Sequence, residues 1–271
     1  MFKRLILLFL VTALSLSAYS DYDMDGVADD KDKCPNTLLS ELVNSEGCPT
    51  KNLESYHHFD IIYGFDFYQT SYSSLEKSDT ISQSLQLDYY YKNFSLQLSS
   101  SYYNSSTASF NDSGVNDSFA GIYYKLNTKS NLKIRLGAGA IIPTYESELN
   151  NNNTDYMASL GLSYLYANIN IFGAYSYTMV NDSDLEADGI LYQDSNAYTL
   201  GVGFYPTDSL YISGAYSSSD SIYKDVGTID TASVYGLYNI NKNWFATLNY
   251  AYGISESASD NFASMRIGYY F

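Results

Sequence analysis

The chain has 271 residues, 17% of them aromatic, with 31 Tyr, one Trp and four Pro, a composition that favours strands. Charged residues make up only 16%, against roughly 25% in an ordinary soluble domain. Hydrophobic residues reach 45% with a mean hydropathy of −0.22, so the apolar residues are dispersed. The formal net charge is −16, and loss of a segment bearing Lys3 and Arg4 makes it two units more negative. With no basic cluster, this argues against a nucleic-acid partner held through its phosphates.

Residues 1–20 read as a secretory signal: Lys3-Arg4, an apolar run from Leu5 to Leu16, then small residues, with cleavage expected after Ser20. A membrane-anchoring helix is the alternative, but the run is shorter than the ~20 residues that span a bilayer. Cys34 and Cys48 follow in an exported chain, where a disulfide is the expected state.

Residues 21–32, D-Y-D-M-D-G-V-A-D-D-K-D, place acidic residues at positions 1, 3, 5, 9 and 12 of a twelve-residue loop, with Gly26 at position 6. Alternate side chains converge on one point, the Gly permits the sharp turn, and a backbone carbonyl adds an oxygen, which is the donor set of a hard cation. The expected ligands are Asp21, Asp23, Asp25, the Val27 carbonyl, Asp29 and Asp32. Asp32 stands where a bidentate Glu is usual, so Ca2+ affinity is expected in the weak range of ~0.1–1 mM. The alternative is an acidic, solvated linker that binds nothing.

From Tyr56 onward the pattern is period two. Phe59, Ile61, Tyr63, Phe65 and Phe67 share one face against Asp60, Gly64 and Asp66. Leu132, Ile134, Leu136, Ala138 and Ala140 oppose Lys133, Arg135, Gly137 and Gly139, and Trp244, Ala246, Leu248 and Tyr250 oppose Thr247, Asn249 and Ala251. Twelve such segments are predicted, near 58–71, 80–92, 93–106, 115–127, 131–144, 154–166, 168–180, 194–206, 208–219, 228–240, 242–254 and 260–271. Tight joins at Lys92-Asn93, Thr128 to Ser130, Ala167, Thr207 and Asn241 alternate with longer ones near 72–79, 107–114, 145–153, 181–193, 220–227 and 255–259. This is the pattern of an all-β, twelve-stranded antiparallel transmembrane barrel with short periplasmic turns. A soluble sandwich also alternates, with its apolar face inward. Tyr89, Tyr91, Tyr102, Tyr164, Tyr177, Tyr252 and Tyr269 are the expected interfacial girdles.

Two stretches carry a family resemblance. Residues 21–49, the Asp loop followed by K-C-P-N-T and V-N-S-E-G-C-P, resemble a thrombospondin type 3 repeat of the kind that links domains in OmpA-like outer-membrane proteins. This resemblance implies calcium on the aspartates and a Cys34–Cys48 bridge. There is one repeat and no peptidoglycan-binding domain after it, so neither tandem calcium cages nor wall anchoring carries over. The end of the chain, with Met265, Ile267, Tyr269 and Phe271 on one face, resembles the terminal signature read by the barrel-assembly machinery. It implies a bacterial outer-membrane location, with lipid around the barrel. An even strand count leaves both ends of the barrel on the periplasmic side, so the calcium loop is expected to hang below the pore.

With apolar faces outward, the lumen is expected to collect Asp60, Asp66, Asp88, Lys92, Lys125, Lys133, Arg135 and Arg266, and closure brings Arg266 near Asp60 or Asp66. Charges lining a pore set which solutes pass, which points to a small channel. The alternative is a structural or adhesive barrel with a closed lumen and acidic outer loops. Catalysis is not expected, because the two histidines, His57 and His58, lie at the periplasmic start of the first strand.

Overall fold

The computed structural model describes residues 21–37, 43–49, 57–71, 77–128, 131–145, 153–186 and 189–271. The signal segment, 1–20, and the link between the Asp loop and the first strand lie outside the described residues. Thirteen strands follow in order: β1 His57–Thr70, β2 Ser78–Tyr91, β3 Phe94–Ser106, β4 Asn111–Val115, β5 Ser118–Asn127, β6 Leu132–Ile142, β7 Asp155–Tyr166, β8 Ile169–Met179, β9 Ser195–Thr207, β10 Leu210–Ser219, β11 Ile229–Asn239, β12 Trp244–Gly253 and β13 Asn261–Tyr270.

Apart from β4 and β5, which both pair with β3, consecutive strands pair antiparallel, and β1 pairs with β13 from Asp60↔Tyr270 to Gln69↔Asn261, so the sheet closes on itself. β4 and β5 are two halves of one barrel strand. β3 pairs with β4 through Tyr102↔Val115 to Ser106↔Asn111, and with β5 through Phe94↔Tyr124 to Ser99↔Phe119. The barrel is therefore twelve-stranded, as the alternation predicts.

The one strand misjudged from sequence is this broken one, whose outer half falls within the loop expected at 107–114. At the break, Asn116 N–H donates to the Ser101 carbonyl, so the ladder continues across it. The Asp117 carboxylate accepts Thr144 N–H at 3.2 Å and Tyr145 N–H at 2.9 Å, fixing the start of the connection after β6.

Three turns at the short-turn end use two residues, Lys92-Asn93, Ala167-Asn168 and Asp208-Ser209, and the first residue takes left-handed backbone in the first two, φ 53° at Lys92 and 52° at Ala167. Such turns match the twist of the flanking strands. A β-bulge near Leu210 marks the β9–β10 turn. The chain end Phe271 lies at this same rim, where Phe59 N–H donates to the Phe271 carbonyl and Phe271 N–H to the Phe59 carbonyl.

Most apolar residues of the strands face outward. Phe65 is 50% exposed, Leu248 61% and Leu200 68%, while the alternate residue Asp66 is 4% exposed. Among the described residues no large side chain is fully buried, so no solid apolar core fills the interior. A sandwich would have the opposite sidedness. An unbroken apolar outer belt on a closed sheet, with no free strand edge, is the surface that lipid covers. The girdle tyrosines also face outward: Tyr89, Tyr91, Tyr164 and Tyr269 near the short-turn rim, and Tyr102, Tyr177 and Tyr252 towards the long loops.

Candidate functional site

The Asp loop folds into a module of its own. Gly26 takes φ +89° at the expected turn, and Asp21 accepts backbone N–H groups from Asp25 at 3.2 Å and Gly26 at 2.9 Å. Val27 N–H donates to Asp25 at 2.9 Å, Cys34 N–H to Asp32 at 2.7 Å and Thr37 N–H to Asp23 at 2.5 Å.

The Cys34–Cys48 disulfide, with Cα atoms 5.0 Å apart, joins this segment to residues 43–49. Closing a loop of this size contributes about 3 kcal/mol in the chain-entropy account. Lys33 N–H donates to the Glu46 carbonyl at 2.8 Å, and Thr37 Oγ1 donates to the Gly47 carbonyl at 2.9 Å, so the two segments are also hydrogen-bonded.

The module gathers the carboxylates of Asp21, Asp23 and Asp25, whose oxygens lie within 4.8 Å of one another. Asp21 is 7% and Asp23 3% exposed. Asp23 Oδ1, Asp25 Oδ2 and Asp32 Oδ2 are buried without a hydrogen-bond partner among the described residues. Burial pushes the Asp21 carboxyl up to about 7, with Gly26 N–H opposing and the charges of Asp23 and Asp25 adding to the rise. Asp23 and Asp25 are raised first of all by burial too.

Asp32 approaches Asp25 where both face Gly47, whose Cβ, if it had one, would overlap the Asp32 carboxylate. Asp29 turns away to accept Tyr22 N–H at 2.8 Å, and Val27 is held through its N–H. Three of the expected ligands thus meet, a fourth lies beside them, and Asp29 is occupied elsewhere.

In the barrel, the register sends Asp60, Asp66, Asp88, Lys125, Lys133, Arg135 and Arg266 into the lumen. Arg266 Nη2 lies 3.6 Å from Asp66 Oδ1, the pairing that closure predicts. Asp60 accepts the Tyr90 hydroxyl at 3.0 Å, and Asp88 accepts Gln86 Nε2 at 2.7 Å. The Arg135 guanidinium stacks 3.8 Å from the Tyr123 ring. The acids thus lie on β1 and β2 with Arg266 beside them on β13, while Lys125, Lys133 and Arg135 lie on β5 and β6, further round the wall. Lys92 is the exception: as a turn residue it leaves the alternation, and its ammonium sits 5.4 Å over the Tyr91 ring at the rim.

The lumen's aromatic rings lie against its glycines. A Cβ on Gly121 or Gly139 would meet the Phe119 ring, on Gly137 the Tyr123 ring, on Gly203 the Tyr211 ring and on Gly268 the Phe245 ring. Ser82, Ser213 and Ser264 are buried among these inward-facing residues. His57 faces outward with Nδ1 2.6 Å from the Tyr89 hydroxyl, and His58 stacks on Tyr270 at 5.3 Å inside the rim.

The module touches the barrel wall. Lys133 Nζ lies 4.5 Å over the Tyr22 ring and 3.5 Å from the Tyr22 carbonyl. That contact between module and wall was not legible beforehand, because it depends on how the two fold against each other.

No protein-family model matches the sequence, and no curated protein does. Among solved structures the NanC porin is similar, with a TM-score of 0.52, 14% identity, and 78% of this chain aligned to 98% of that one. The KdgM porin follows with a TM-score of 0.50, 13% identity, and 78% of this chain on 99% of that one. The fold is that of the outer-membrane porins. Residues 21–37 and 43–49 stand outside the twelve strands, and the charged residues of the wall face the interior.

Proposed function

We propose that the chain is a small outer-membrane channel for small solutes, bearing a calcium-binding module at the periplasmic end of its pore. The observation that carries the channel reading is the lumen wall: charged and hydroxylic, with its aromatic rings folded back onto glycines, in a barrel without a solid core. Short turns are periplasmic in outer-membrane barrels, which supports a periplasmic module. The outward-facing Tyr269 and Phe271, with Phe271 stacked 5.5 Å from Phe59, support recognition of the last strand by the assembly machinery.

Single-channel recording of the refolded protein in a planar bilayer tests this. Stable, ion-selective steps are the expected outcome; silence from protein with heat-dependent electrophoretic mobility would favour a structural or adhesive barrel.

The calcium reading rests on the buried, unpartnered oxygens of Asp23, Asp25 and Asp32, beside the carboxylate cluster of Asp21, Asp23 and Asp25. Bringing buried carboxylates together is costly unless a cation joins them. Bound there, Ca2+ would neutralise the cluster and rigidify the loop. Calcium titration by calorimetry, compared with the Asp23→Asn variant, checks it: binding in the sub-millimolar to millimolar range is expected, weakened about tenfold or more by the substitution.

A further inference from the structure

The acidic module touches the barrel where the lumen is basic. Tyr22, next to the first carboxylate of the cluster, lies under the Lys133 ammonium, and its hydroxyl is buried without a hydrogen-bond partner among the described residues. The charge of Lys133 interacts with Asp23 and Asp21, and that of Lys125 with Asp23. The module therefore sits against the inner wall at the short-turn mouth, where β6 begins. Within the module, Lys33 is taken up by Glu46 at 2.6 Å, which leaves it outside this arrangement.

We propose that the Asp module, residues 21–37 and 43–49, plugs its own barrel, latched at its short-turn mouth by Lys125 and Lys133, and that a divalent cation at Asp21, Asp23 and Asp25 loosens the latch. The cation half of this rests on the calcium reading above.

Without a cation, the two lysines supply the positive charge that the buried carboxylates face from the barrel. A bound divalent ion supplies it from within the module, so the attraction across the mouth falls. The coupling is reciprocal: whatever the ion takes from the latch, the latch takes from ion affinity. Two ammonium groups beside the site also repel the incoming ion. Removing them should therefore tighten calcium binding, an effect opposite to the loss that general damage to the module would cause.

The full chain, refolded, and its Lys125→Met/Lys133→Met variant would be compared by calorimetric titration with calcium chloride and by single-channel conductance with and without calcium. Heat-dependent mobility would verify folding, and Lys125→Arg/Lys133→Arg serves as the charge-retaining control. The double Met variant is expected to bind calcium roughly threefold or more tighter and to conduct more than the parent without calcium. Calcium should raise the parent's conductance and leave the variant's unchanged, and the Arg control should follow the parent.

Equal conductance of parent and Met variant under both conditions, with unchanged calcium affinity, would overturn the plug while leaving calcium binding standing. A more conductive Met variant with no calcium bound to either protein would overturn the calcium reading and the cation half, leaving the lysine latch. Calcium binding that leaves the parent's conductance unchanged, with a more conductive Met variant, would overturn the coupling alone.

Discussion

Asp23 accepts Thr37 N–H with one carboxylate oxygen, while its other oxygen is buried with no hydrogen-bond partner among the described residues. Its neighbour Asp21 is raised to about 7 by the same burial. A carboxyl whose folded pKa exceeds its unfolded value of 3.8 favours folding fully below that value and loses this contribution as pH rises through the folded one. The cation-free module should therefore resist limited proteolysis better at pH 5 than at pH 8, and calcium should close the gap at pH 8. Equal digestion at the two pH values would show that these carboxyls do not govern its stability. The spacing of the aspartates made the cluster legible in the sequence. The diversion of Asp29 to Tyr22 N–H was not, since it depends on the path of the backbone between them.

Among the elements, eleven of the twelve predicted segments sit within a few residues of the observed strands, because period-two alternation survives wherever one face meets lipid and the other the lumen. The exception is Asn111–Val115, N-D-S-G-V, whose composition signals a turn while its backbone pairs with β3. Here ladder hydrogen bonds to a neighbour override local propensity.

The break after it gives Asp117 a structural role, and Asp117→Ala should speed proteolytic nicking of the segment after Thr144, at a cost of about 1–3 kcal/mol for the two backbone N–H groups left without it. The wall makes a sharper prediction. A side chain on Gly203 would displace the Tyr211 ring, whose hydroxyl accepts Asn170 Nδ2 at 3.1 Å, so Gly203→Val should lower unitary conductance while the barrel still folds. Undiminished conductance would mean that the ring does not border the permeation path.

At the scale of the whole molecule, the lumen's charge is a sum over strands far apart in sequence, so alternation revealed which charges face inward but not which of them meet. The Arg266–Asp66 pair was foreseeable because closure must bring the first and last strands together; the seat of the module on Lys133 was not. Arg266→Met should shift the reversal potential in a salt gradient towards cation selectivity, changing the permeability ratio by roughly twofold, since it leaves Asp66 as the charge at that point of the wall. An unchanged ratio would place the selectivity elsewhere.

The seam between β1 and β13 has a further consequence, in time rather than in space. Its contacts join residues as distant as Phe59 and Phe271, which exchange the seam's rim-side backbone hydrogen bonds. Until β13 is made, the growing sheet therefore carries two unsatisfied edges, each a template for wrong pairing. β1 must wait, unpaired along one side, until β13 arrives, so the open sheet needs shielding from other chains for as long as the barrel is incomplete.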